Sequence, residues 1–444
     1  GKILDDADLL SEVSNLIESP KVFLGEFDRQ YLDIPQEVLM AVMKKHQRYF
    51  PILDDENLLP FFVGVHNADI EDSELVIQGN EKVISARFAD ASYFVNADSK
   101  RNLHEFRNDL NRLAFQEQLG SMLDKSQRIE QLAVQLAEYC RLDADQVATV
   151  KRAAYLSKAD LATQMVVEMT ALQGVIGREY ALQSGESNQV AKAIEQHYWP
   201  LNIDGNLPES ILAVVVGLAD RLDSLVGLLS VGLRPTGATD PFGQRKMALG
   251  CMQLLLGKDL DIDLRVVLEM AAQAQPVRTE GVVEQAASFM LKRLQGVLRD
   301  RGYRHDVIEA VLSVQGHNPH RALKSIEQLT TWIAREDWSK ILDSFARCVR
   351  ILPKDQELVS VDHGLLSSES EIDLWEALSN IDPSDTVDDF LSSFTAIIPA
   401  VTSFFDEVLV MTDDLDVRSN RIALLSSVSR LANGVVNMSK MDGF

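Results

Sequence analysis

With 444 residues, the chain is too long for one hydrophobic core. Its 46% apolar and 25% charged residues are the proportions of a globular protein, one expected to divide into about three domains. A net charge of −24, from 67 acids and 43 bases, excludes a broadly basic nucleic-acid binder and leaves only local basic patches for a polyanion.

No stretch reaches the ~18 uninterrupted apolar residues of a membrane span. Cys140, Cys251 and Cys348 lie far apart with no Cys-x-x-Cys pair, which argues against a disulfide framework or a zinc site and for a reducing compartment. Gly1 follows no initiator Met and opens no signal region, as expected of a fragment whose N-terminal part lies upstream.

In chain order, residues 1–100 mix two periodicities. "PQEVLMAVMKKHQRYF" (35–50) predicts a helix begun by Pro35, and "PFFVGVHN" (60–67) predicts a buried strand. From about residue 105 the pattern is helical. Within 116–140, Leu119, Leu123, Ile129, Leu132, Leu136 and Tyr139 keep helical spacing apart from one six-residue step. Pro- and Gly-rich breaks fall at 200–208, 231–243 and 316–319. A polar, aperiodic stretch at 353–370 reads as a linker into a last helical domain. There Phe390, Phe394, Ile397, Val401, Phe405 and Val408 form an apolar stripe that Pro399 interrupts, predicting two short helices or a kinked one. Glu369–Asp416 holds thirteen acids and no Lys or Arg, whereas Val417–Phe444 holds Arg418, Arg421, Arg430 and Lys440 against one Asp. Only the last helix can therefore face a polyanion.

Four segments could carry chemistry. "SVGLRPTGATDPFGQRKMALG" (230–250) lacks the Gly-Lys-Ser/Thr of a phosphate loop. It is either a turn that presents Arg234, Arg245 and Lys246 to a phosphate at a helix start or a purely structural turn. "KKHQRYFP" (44–51) sets Lys44, Lys45, His46 and Arg48 beside Tyr49 and Phe50, a pattern of a nucleic-acid grip or of a solvated helix end with its aromatics inward. Asp220 and Asp223 share one helical face. With Lys158, Asp160 and His197 they form either a divalent-metal site or a set of buried ion pairs. Arg418 to Arg421 open the last basic helix. "RHD" (304–306) lacks supporting ligands, and "NMSKMD" (437–442) reads as a helix tail. With no nucleophile elbow, dinucleotide fingerprint or Cys/His pair, no catalytic centre stands out.

These segments resemble the β subunit of bacterial-type heterotetrameric glycyl-tRNA synthetase. The likeness is carried by residues 34–50, "GNEKVISARFADASYF" (79–94), "FQEQLGSMLDKSQRI" (115–129), "AAYLSKADLATQMVVEMTALQGVIGREYA" (153–181), "ADRLDSLVGLLSVGLRPTGATDPFGQRKMALG" (219–250) and "FFDEVLVMTDDLDVRSNRIALL" (404–425). The resemblance implies a mainly α, multidomain fold: an α+β end of the body domain at 1–110, an HD-like helical domain at 111–255, a helical continuation at 256–350 and a helical anticodon-binding domain at 355–444. Where an HD metallohydrolase would carry His-Asp, this chain has Ala159-Asp160, so the domain resembles a retired hydrolase scaffold.

The resemblance also implies that this chain holds no catalytic residues, metal or cofactor of its own. ATP and Mg would act at the class II site of an α subunit, separate or fused upstream, in an α2β2 assembly. The partner would be tRNA(Gly). Lys44, Lys45, Arg48, Arg234, Arg245 and Lys246 would then face its acceptor side, and Arg418, Asn420 and Arg421 its anticodon. The compartment would be bacterial cytoplasm, or plastid or mitochondrion in a eukaryote. The competing classes are an HD-type metal-dependent phosphohydrolase and a non-catalytic tRNA-binding scaffold.

Overall fold

The computed structural model describes residues 1–67, 73–203, 205–353 and 360–444, without the side chains of His46 and Ser73. Residues 354–359 of the expected linker and Asp204 of the 200–208 break therefore lie outside the described residues. Among the described residues are nineteen α-helices and one four-stranded antiparallel sheet confined to the first 66 residues, so the fold is mainly α with an α+β N-terminal part. The chain forms two compact units. Unit 1 is Gly1–Val231 with Gln273–Arg278, and unit 2 is Gly232–Ala272 with Thr279–Phe444.

In unit 1 the strands β1 (Lys2–Ile3), β2 (Lys21–Glu26), β3 (Phe50–Asp54) and β4 (Asn57–His66) run in the order β1-β3-β4-β2. Leu9 and Val13 of the helix Ala7–Leu16 cover one face against Phe50. On the other face, Phe23 sits opposite Gly64 and Gly25 opposite Phe62. A Cβ at either glycine would collide with the facing ring, so these positions need Gly to seat the aromatics. The 35–50 helix is shorter than its periodicity predicts. It runs Gln36–Val42 behind the N-cap Pro35, loosens into one wide turn over Met43–Gln47, and ends at Arg48, whose φ of 54° reverses the chain so that Phe50 can enter the sheet.

The rest of unit 1 is a helical bundle around Ile211–Ser230, in which eighteen of twenty residues are buried. A helix apolar on nearly every side is stable only when surrounded, and Met122–Tyr139, Ala144–Leu156 and Asn188–Gln196 surround it. The helix expected from residue 116 starts only at Met122. Residues 114–121 form a small hairpin, and the Ser121 hydroxyl and Asp124 carboxylate close a reciprocal cap on the first turn.

Unit 2 is built of helices joined by loops, with one isolated β-bridge between Thr236 and Thr239 among the described residues. The Pro399 interruption does not split its helix: Val387–Glu407 is continuous, because Pro399 lies on the exposed side where water can meet the carbonyl its ring leaves unbonded. The stripe turns inward through Phe390, Phe394, Ile397, Val401 and Phe404. Phe405 is only half-buried and lies under the Arg347 guanidinium at 4.5 Å.

Candidate functional site

The residues singled out at 158–160, 197 and 220–223 do converge in unit 1, and two unforeseen cations join them. Lys158 Nζ donates to Asp220 Oδ2 at 2.7 Å and to His197 Nε2 at 2.8 Å. The other ring nitrogen, Nδ1, faces the Ile194 carbonyl at 2.6 Å and therefore carries the ring proton. Lys125 Nζ reaches Asp220 Oδ1 at 2.8 Å and Asp223 Oδ2 at 3.2 Å, while Arg128 Nε donates to Asp223 Oδ1 at 2.7 Å. Gln275 Nε2 donates to the same Asp223 oxygen at 3.0 Å. Arg221 donates to the His197, Tyr198 and Trp199 carbonyls, which orients the segment that carries the imidazole.

Burial raises the cost of every charge here, and the charges answer one another. It opposes ionisation of Asp220, but Lys125 and Lys158 outweigh it and hold that carboxyl well below the ordinary range. Burial likewise pulls at Lys125, but Asp220 and Asp223 keep it above its usual value. Lys158 is lowered by burial and by its neighbour Lys125, and burial with the adjacent Lys158 keeps His197 neutral. Asp160 stands apart. Its Oδ2 accepts the Gly174 N–H at 2.6 Å, its Oδ1 has no partner, and burial pushes it up to about 6.

This donor set does not fit a divalent metal. The space between Asp220 and His197, where an ion would sit, is filled by the Lys158 ammonium. No group of three His, Cys, Asp or Glu among the described residues could hold one. Of the two readings of these residues, buried ion pairs is the one the geometry realises. "RHD" resolves similarly: Asp306 pairs with Arg304 at 2.7 Å and His305 is exposed. "NMSKMD" holds a single 3-10 turn, Met438–Lys440.

The 230–250 stretch is a structural turn. Gly232, Gly237 and Gly243 all take positive φ, and the N–H groups that open the helix Gln244–Gly257 are already occupied. Asp240 accepts from Gln244 N at 2.9 Å and from Arg245 N at 2.8 Å, so the chain's own carboxylate stands where a phosphate would bind. Arg245 also donates to the Gly237 carbonyl and Arg234 to Gln285. Lys246 projects outward.

The other candidates divide in the same way. Lys44 pairs with Asp6 at 2.9 Å and Arg48 with Glu12 at 2.7 Å, while Lys45 is exposed. Tyr49 turns inward and stacks on Phe62, not outward on a base. Asn420 is buried, and its amide exchanges two hydrogen bonds with the Asp362 backbone. Arg421 is partly buried, its Nε held by the buried Glu371 at 2.6 Å and its Nη1 donating to the Leu409 carbonyl. Lys45, Lys246 and half-buried Arg418 have no ion-pair partner among the described residues.

A family model described as glycyl-tRNA synthetase beta subunit matches residues 1–313. The chain belongs to that family. Over 99% of its length it is 37% identical to the glycine–tRNA ligase beta subunit of Clostridioides difficile, and over 98% it is 38% identical to that of Chromohalobacter salexigens. Over its whole length it is 36% identical to the chloroplastic/mitochondrial glycine–tRNA ligase 2 of Arabidopsis thaliana. It spans 65% of each bacterial protein and 42% of the plant one.

Sequence reasoning missed Lys125 and Arg128, yet this β-subunit chain carried the signal. The single six-residue gap in the 116–140 pattern, between Leu123 and Ile129, is where Lys125, Ser126 and Arg128 turn inward. A gap in an apolar stripe that holds two cations, matched by two inward acids on another helix, is the mark of a buried ionic core. No helix among the described residues is long and apolar enough to cross a membrane.

Proposed function

We propose that this chain is the tRNA-handling part of a glycine–tRNA ligase. It binds tRNA(Gly) and positions it for ATP-dependent glycylation at the class II site of an α subunit, separate or fused upstream, in an α2β2 assembly. The observation that carries this reading is family membership along the chain. The ionic core supports it, because the Lys158 ammonium occupies the space between Asp220 and His197 that a hydrolytic metal would need. Positioning alone is a sufficient role, since placing the tRNA end against an activated glycine removes several kcal/mol of barrier. ATP and Mg then belong to the α subunit.

Within this reading Lys45, Lys246 and Arg418 carry free charge to the tRNA, and Lys44, Arg48, Arg234 and Arg245 join by exchanging their present partners. The free thiols of Cys140, Cys251 and Cys348 suit bacterial cytoplasm, or a plastid or mitochondrion in a eukaryote. Glycine charging of tRNA by an upstream-complete chain, with and without added α subunit, tests the proposal. Charging that requires α supports it. Absent charging together with absent tRNA binding at low salt overturns it in favour of a scaffold.

A further inference from the structure

Unit 1 holds a cavity of about 330 Å³ outside the ionic core. It lies beside the C-terminal end of the helix Ser73–Asp98, between the turn 106–113 and the segment 161–167. Phe106, Leu113 and Val167 give it an apolar wall, and Val167 leaves 60% of its surface open to solvent.

The acids around it are already satisfied. Asp98 accepts from the Gln164 and Met165 N–H groups at 3.0 Å each and from the Tyr180 hydroxyl, and Asp109 pairs with Arg101 at 2.8 Å. The Arg101 guanidinium in turn lies over the Phe106 ring, 4.1 Å from its centre. What remains free is one guanidinium, Arg112, and one exposed amide, the Gln164 side chain, neither with a partner among the described residues. One helical turn before Ala97, which lines the cavity, Tyr93 exposes 68% of its surface on the same helix face.

A ligand matched to this set has a flat apolar face, a polar edge for the amide and an anion for the guanidinium. Those are the parts of a nucleotide. We propose that the cavity receives one unpaired nucleotide of a bound RNA. Its base lies against Leu113, Val167 and the Arg101–Phe106 stack, its edge meets Gln164, its phosphate meets Arg112, and the neighbouring base stacks on Tyr93. The RNA identity rests on the tRNA reading above; the nucleotide chemistry rests on the cavity.

The test uses the full chain and measures affinity by fluorescence anisotropy for tRNA(Gly) transcript, a single-stranded RNA tetranucleotide and AMP over a range of salt. Ala97→Met fills the cavity without altering charge, Arg112→Gln removes the free cation, and circular dichroism confirms that both fold. The expected result is a loss of about tenfold for tRNA and tetranucleotide in each variant. The salt slope should fall by about one unit in Arg112→Gln and stay unchanged in Ala97→Met. Both variants binding tRNA within about twofold of wild type overturns the cavity and leaves the tRNA reading standing. AMP binding as tightly as the tetranucleotide overturns the RNA assignment. Tetranucleotide binding without tRNA binding upholds the cavity and sinks the tRNA reading, and no binding of either sinks both.

Discussion

Each unit packs against a helix of about twenty residues, Ile211–Ser230 buried on nearly every side in unit 1 and Val387–Glu407 buried along one face in unit 2, but they fill the surrounding space by opposite means. Around the first, Lys125, Arg128 and Lys158 meet Asp220 and Asp223, with Asp160 close by. Around the second, Phe345 stands edge-on to Phe390 and Phe394 at 5.4 and 5.1 Å, and the charged residues of the helix itself, Asp388, Asp389, Asp406 and Glu407, lie at its ends. An ionic core fixes direction, since each charged donor must be aimed at particular carboxylate oxygens. An aromatic core fixes volume and leaves orientation to packing. In the ionic core the positive charge between the carboxylates of Asp220 and Asp223 comes from Lys125, Lys158 and Arg128.

Breaking the ionic core should produce the largest effect. Asp223→Ala strands Arg128 and leaves Lys125 with one acid, so a loss of about 5 kcal/mol is expected, against about 1 or less when Lys125, Arg128 and Asp223 are all replaced by Met or Leu. Denaturant titration read through Trp199, the one tryptophan of unit 1, measures both. A triple variant as unstable as the single one would show that packing, not charge, holds that helix. Next in size, Phe394→Ala in unit 2 should cost about 4 kcal/mol and Phe394→Leu about 1, because only the first leaves a cavity. Trp332, Trp338 and Trp375 report that unit. Equal costs would make the aromatic core as directional as the ionic one.

How far the sequence revealed this difference depends on periodicity. The Phe390-to-Val401 stripe was legible because an apolar core writes itself in a 3.6-residue repeat. One position within it, Phe404 for Phe405, slipped because the two rings are adjacent and either fits the count, while Val408 beyond it is buried as expected. The ionic core was half legible. Asp220 and Asp223 stood out as acids on an apolar helix, whereas Lys125 and Arg128 looked like ordinary surface cations. Asn420 and Arg421 looked like surface residues for the same reason, yet both have protein partners. Polarity in a sequence records that a side chain needs partners, not whether those partners are protein, water or RNA.

Two carboxylates sharpen the comparison by responding to pH in opposite directions. In unit 1, Asp160 sits at about 6 against an ordinary 3.8, so between about pH 4 and 6 the folded state keeps a proton that the unfolded state releases. Folding then takes up a proton, and wild-type stability should fall by about 3 kcal/mol as pH rises through that window, a fall absent from Asp160→Asn. A flat wild-type profile in the Trp199 signal would mean that a buried water already satisfies Oδ1.

In unit 2, Glu371 is the smaller and reversed case. Burial works against its charge, but Arg421, the Ser367 and Ser368 N–H groups and the Ser367 hydroxyl overcome it and hold the carboxyl at about 2, against an ordinary 4.5. Its stabilisation is complete above about pH 4.5 and is lost as pH falls toward 2. Glu371→Gln should therefore cost about 2 kcal/mol at neutral pH, less than the full shift implies because part of the pair is screened by solvent, and the cost should shrink in acid. A cost that persisted unchanged at pH 2.5 would assign the role of Glu371 to helix capping alone and return Arg421 to the pool of cations available for tRNA.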